Sequence, residues 1–149
     1  MNLKFKRAIE EEELLKDIIE KLGWNYINSE QIRCVFSENS SSRAVGRIWS
    51  TPRIFGFAFG SKPCYVVELI KNKYEKLSNK DKVKVLIHEL MHIPKTFSGA
   101  LSPHNKMGKT LVCNRLDTMY NKYYQLLNQE EKEKLFGNEN IITRIMNRF

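Results

Sequence analysis

His88, Glu89 and His92 fall in the run His88-Glu89-Leu90-Met91-His92, and the remaining histidine of the chain, His104, follows after a short segment. On a helix, His88 and His92 stand one turn apart, so their imidazoles leave the same face about 6 Å apart along the axis. That spacing suits two ring nitrogens meeting one zinc ion. Glu89 sits beside them, placed to act on a water rather than on the metal. Together these residue types can perform zinc-dependent hydrolysis, and peptide-bond cleavage is the reaction the pattern suits best. The bland alternative is a pair of core histidines hydrogen-bonded to neighbours. A buried helix carrying His, Glu and His must satisfy three polar side chains in a low-dielectric setting. One dication does that more readily than a chance network.

The third ligand separates the classes of such enzymes. The metzincin arrangement needs a histidine at position 98, where this chain has Ser98. His104 comes next. Gly99 permits a tight reversal and Pro103 suits the start of a helix, so the loop can fold back and present His104 to the same ion. Catalytic zinc takes three protein ligands and keeps one open position. His88, His92 and His104 make up that number, for one Zn2+ per chain. Asp117 is the competing acidic ligand. If residues 104–126 form one helix, Asp117 lies about 20 Å along the axis from His104, so the two cannot share an ion. His104 is preferred, and Asp117 is then a helix-surface carboxylate or one that acts on the site indirectly.

These side chains need elements to hold them. Ser78 with Asp81 resembles a capping box, and Pro94 disfavours helical geometry at Ile93, so the metal helix should run from about 79 to just after His92. Val83, Val85, Leu86, Ile87, Leu90 and Met91 make it apolar on nearly every face, hence buried. Residues 8–22 carry apolar side chains at helical spacing. Residues 31–36, 43–49 and 64–70 read as strands, the last offering an edge on which an extended peptide substrate can pair. Pro52 opens an aromatic segment, Phe55, Phe57 and Phe59, expected to supply core. A long helix should follow His104, then a shorter one at 129–136. The fold class expected is α+β, with residues 1–149 as a single zincin-like domain: a small, mostly antiparallel sheet packed on the HExxH helix, plus further helices. Arg115, Tyr120, Tyr123 and Tyr124 are chemically able to stabilise an oxyanion, although core or surface roles suit each of them better.

Composition narrows the classes. At 149 residues with 42% hydrophobic content the chain can bury a real core. No apolar run approaches the ~20 residues of a membrane span, and the basic N-terminus lacks the apolar stretch and cleavage site of a secretory signal. No membrane partner is expected. Cys34, Cys64 and Cys113 are odd in number and far apart, which favours reduced thiols and a cytoplasmic location. The net charge is +8, and Lys71, Lys73, Lys76, Lys80, Lys82 and Lys84 crowd the approach to the metal helix. A solvated lysine-rich surface is the plain reading; weak, non-specific nucleic-acid binding is the functional one.

From Arg43 to His104 the sequence resembles a family of archaeal and phage metallopeptidases. The matching stretches are Ala44-Val45-Gly46-Arg47-Ile48-Trp49, Pro52-Arg53-Ile54, Tyr65-Val66-Val67-Glu68-Leu69-Ile70, and the run from His88 through Pro94 and Gly99 to His104. The resemblance implies a zincin-like fold with His88, His92 and His104 as ligands, Glu89 as the catalytic residue and a peptide or protein as substrate. It supplies no particular substrate. A weaker likeness is to SprT-type proteases, which act on proteins attached to DNA. Two rival readings stand beside a peptidase: a metal-dependent nuclease on the same ligand set, and a non-catalytic, zinc-stabilised binding module.

Overall fold

Alternation of Ile32, Cys34 and Phe36, and of Tyr65, Val67 and Leu69, puts two apolar stripes on one face of a sheet, and the helices close over that face. The computed structural model describes residues 2–103 and 108–146, with the side chains of 108–113 and 138–146 excepted. In chain order the elements are β1 (Lys4–Arg7), α1 (Ile9–Lys21), β2 (Ile32–Glu38), β3 (Gly46–Ser50), α2 (Arg53–Phe59), β4 (Tyr65–Ile70), α3 (Lys71–Tyr74), α4 (Asn79–Met91), α5 (Gly108–Leu126) and α6 (Gln129–Met146). The architecture is α+β, as expected. The last helical stretch is interrupted at Gly137 (φ 6°, ψ −93°), close to where a shorter helix should stop.

The sheet order is β1-β2-β4-β3. β1 and β2 pair antiparallel, β2 and β4 parallel, β4 and β3 antiparallel. β4 therefore lies inside the sheet, hydrogen-bonded on both sides, and cannot offer the edge that the sequence suggested for it. The outer strand next to it is β3. A parallel pairing of β2 with β4 requires a crossover, and the β3–α2 segment supplies the intervening chain.

Leu15, Ile18 and Ile19 of α1, with Leu22 at its C-terminal cap, meet Val83, Leu86, Ile87 and Leu90 of α4 in one core with Cys34, Tyr65, Val67 and Leu69 of the sheet. Tyr120, Tyr123, Leu127 and Phe136 extend it under α5 and α6. The aromatic segment departs from expectation. It forms α2, and Phe55, Phe57 and Phe59 are exposed rather than buried, because this short helix follows the edge strand β3 and contributes no residue to the core cluster.

Candidate active site

The helix that carries the histidines begins and ends where its local chemistry dictates. The Ser78 hydroxyl accepts from the Asp81 backbone N–H at 3.1 Å, closing the N-terminus. Helical geometry stops with His92 as the C-terminal cap, two residues before Pro94. His88 and His92 face the same way: their Nε2 atoms are 3.3 Å apart, with the rings edge-on at 5.0 Å. Two nitrogens each ~2.05 Å from a tetrahedral zinc stand ~3.3 Å apart, so this pair already has the spacing of two ligands to one ion.

The loop beyond His92 clips back onto it. His92 Nδ1 lies 2.7 Å from the Ser102 carbonyl oxygen, and the Ser102 N–H donates to the His92 carbonyl at 2.7 Å. A carbonyl only accepts, so Nδ1 is the donor of this contact, and the ring is turned with Nε2 toward His88. Zinc-binding histidines are oriented by the same kind of contact. Tyr65, fully buried at the start of β4, holds the middle of this loop. Its hydroxyl donates to the Ala100 carbonyl at 3.0 Å and accepts from the Gly99 N–H at 2.8 Å, while its ring packs 5.0 Å from that of Phe97. Burial pushes the Tyr65 phenol up, against the opposing effect of the Gly99 N–H, so the donating proton stays in place. Gly99 takes φ +88°, the tight reversal expected of it.

Glu89 lies on the same helix with only 6% of its surface exposed. Among the described residues no hydrogen bond or ion pair reaches its carboxylate, and burial pushes its pKa up to about 7. Beside it runs the edge strand. A Cβ at Gly46 would lie 2.9 Å from Val85 Cγ1 and 3.5 Å from Glu89 Oε1, so the missing side chain is what lets β3 come this close to α4.

His104 lies outside the described residues, and among the described ones no group of three His, Cys, Asp or Glu side chains is gathered tightly enough to hold a metal. Two of the expected ligands are thus brought together, with a buried carboxylate on the residue that follows the first of them. Asp117, the acidic competitor, sits on α5 and pairs instead with Lys84 at 2.6 Å, which holds its carboxyl below the usual range. The oxyanion candidates have other employment. Tyr123 donates to Asp17 at 2.6 Å in the core, Tyr120 is buried beside Lys80 and Lys84, Tyr124 packs on Phe136, and Arg115 is exposed on α5.

Sequence reasoning missed three contributors: Tyr65, Ser102 and Gly46. A tyrosine opening an otherwise aliphatic strand was a signal for the first. Ser102 acts through its backbone, which no residue type announces. Much of the lysine run is also occupied: Lys71 pairs with Glu38, Lys73 donates to the Ser42 carbonyl, Lys82 lies over Tyr74 and Lys84 pairs with Asp117. No curated protein and no solved structure matches the chain. Residues 3–128 match the family model described as "Putative phage metallopeptidase", and the chain belongs to that family.

Proposed function

We propose that the protein is a zinc-dependent peptidase in which His88, His92 and His104 hold one zinc ion and Glu89 moves the protons of the reaction. The observation that carries this reading is the pair of imidazole nitrogens at 3.3 Å beside a buried carboxylate with no cation partner among the described residues. His104 joins as the remaining histidine of the chain, two residues along the sequence from Ser102, which is bonded to His92. Zinc at such a site supplies Lewis acidity, polarising a carbonyl and acidifying water. Glu89 takes the proton from the attacking water and delivers it to the leaving amine. Its apolar surroundings suit a carboxylate that must both accept and release a proton near neutral pH. His92 stays in one tautomer through Ser102.

An extended substrate fits the outer edge of β3, where nothing among the described residues pairs with the strand. Strand addition there brings a scissile bond alongside α4 next to Glu89, because Gly46 leaves no side chain between. Free thiols at Cys34 and Cys64 support a cytoplasmic setting. The occupied lysines favour a peptide over a nucleic-acid substrate.

The test combines metal content with cleavage. Purified protein should contain one zinc per chain, retain it in Asp117→Ala and lose most of it in His104→Ala. Unfolded casein should be cleaved by the wild type and not by His104→Ala. Retention of zinc by His104→Ala with loss in Asp117→Ala would transfer the third ligand to the acidic residue.

A further inference from the structure

α2 takes no part in the chemistry above, and it is the most conspicuous apolar surface among the described residues. Its sequence is Arg53-Ile54-Phe55-Gly56-Phe57-Ala58-Phe59. Phe57 is 92% exposed, Phe59 77%, Ile54 69% and Phe55 49%. Single exposed apolar side chains are ordinary; a contiguous group of four on one short helix marks an interaction surface.

The helix is seated by one side only. A Cβ at Gly56 would lie 3.1 Å from the Ser61 carbonyl oxygen, so the Gly56 side rests against the returning chain. At ~100° per residue, Ile54, Phe55, Phe57 and Phe59 fan out over an arc of about 200° centred opposite Gly56. A groove or a flat protein face covers one stripe of a helix. A protrusion that bears large apolar side chains around more than half its circumference is matched by a medium that flows around it.

Charge points to the same medium. Arg53 and Lys62 bracket the apolar group, Lys95 lies in the neighbouring loop, and no Asp or Glu occurs between Glu38 and Glu68 or between Glu89 and Asp117. This side of the chain is basic and aromatic, whereas the carboxylates gather on α1 and the start of α6. Aromatic side chains ringed by bases are the composition that settles into the headgroup region of anionic bilayers.

We propose that α2 is a membrane-docking wedge that inserts Ile54, Phe55, Phe57 and Phe59 into the interface of an anionic lipid bilayer, with Arg53 and Lys62 on the headgroups. This is a surface contact and departs from the sequence expectation of no membrane partner, which rested on the lack of a spanning segment: no helix among the described residues is long and apolar enough to cross a membrane. It does not depend on the zinc reading, and metal-stripped protein should dock as well as loaded protein.

The experiment is co-sedimentation of the full chain with vesicles of phosphatidylcholine, alone or mixed with phosphatidylglycerol. Wild type should pellet with the mixed vesicles and at least tenfold less with phosphatidylcholine alone. Phe57→Ser with Phe59→Ser should lower partitioning tenfold or more while circular dichroism is unchanged, since both rings are in solvent. Arg53→Gln with Lys62→Gln should abolish the preference for anionic lipid. Wild type remaining in the supernatant, or the serine pair binding like wild type, overturns the proposal. So does a dimer that becomes a monomer in the serine pair without lipid, which would make α2 a self-association surface. Reduced cleavage of soluble casein by the serine pair with vesicle binding intact would make it a substrate subsite, and equally overturns docking.

Discussion

Glu68 and Glu89 are the same residue type, each almost wholly buried at 1% and 6% exposure, yet their surroundings turn them into different chemical groups. Glu68 sits on the sheet beside β3. Arg47 Nε donates to it at 2.5 Å, Arg47 Nη2 at 3.2 Å and the Trp49 indole at 2.7 Å. Burial alone would push its carboxyl up, but those donors outweigh burial and the result is a lowered pKa. Glu89 sits on α4 with burial and no such donors, and its pKa rises to about 7. One is a fixed charge that ties β3 to β4 from one face of the sheet. The other, on the opposite face, is a carboxyl able to gain and lose a proton. Burial by itself does not distinguish structure from chemistry; the presence of donors does.

The largest effect that sharpens this contrast is on catalysis. Glu89→Gln should reduce hydrolysis of unfolded casein by ~10²–10⁴, with zinc content per chain unchanged. Loss of zinc instead would make Glu89 a structural group like Glu68 and erase the distinction.

Stability against pH should separate the two in opposite directions. In metal-free protein the Glu89 pKa is about 7 in the fold against about 4.5 for a glutamate in water, so the folded state holds the proton more tightly. Stability should therefore fall as pH rises from about 4.5 to about 7, by up to about 3 kcal/mol. Glu89→Gln should remove that slope. Glu68 is lowered in the fold, so its contribution is present above the unfolded pKa and is lost as pH falls through the folded one. Urea unfolding of the metal-free chain across pH reads both; a slope that persists in Glu89→Gln would assign it to another group.

Glu68→Gln should cost about 2 kcal/mol in urea unfolding, less than a wholly enclosed pair because Arg47 can turn to solvent. Zinc content should not change. A variant as stable as wild type would show that the Arg47–Trp49–Glu68 cluster does not tie the strands together.

The smallest expected effect is at Tyr65. Tyr65→Phe keeps the ring against Phe97 but removes both hydroxyl contacts to the loop after His92. Zinc affinity, measured by chelator competition, should weaken by roughly tenfold, as removal of a group that orients a ligand does. The accompanying stability loss should be about 1 kcal/mol. Unchanged zinc affinity would show that the loop is held well enough by Ser102 on His92.

The candidate site was legible in sequence where it depends on neighbours along the chain. The i, i+4 spacing of His88 and His92, the Ser78 cap and the stop before Pro94 are local, and each falls where the residue types require. Strands 32–38 and 65–70 were legible from their alternation for the same reason. β1 was not, because four residues of Lys4-Phe5-Lys6-Arg7 carry one apolar side chain and acquire their conformation by pairing with β2.

What the chain determines by itself is thus the histidine-bearing helix, its limits and the convergence of two imidazoles on one face. Only the tertiary structure decided that β4 is interior and β3 the edge, since strand order depends on pairings between distant residues. Only it showed that Glu68 is held charged by donors while Glu89 has none, because the donors come from a neighbouring strand. The fate of Phe55, Phe57 and Phe59 was decided there too. An apolar residue type states a preference for burial, but whether a surface exists to bury it is a property of the assembled core.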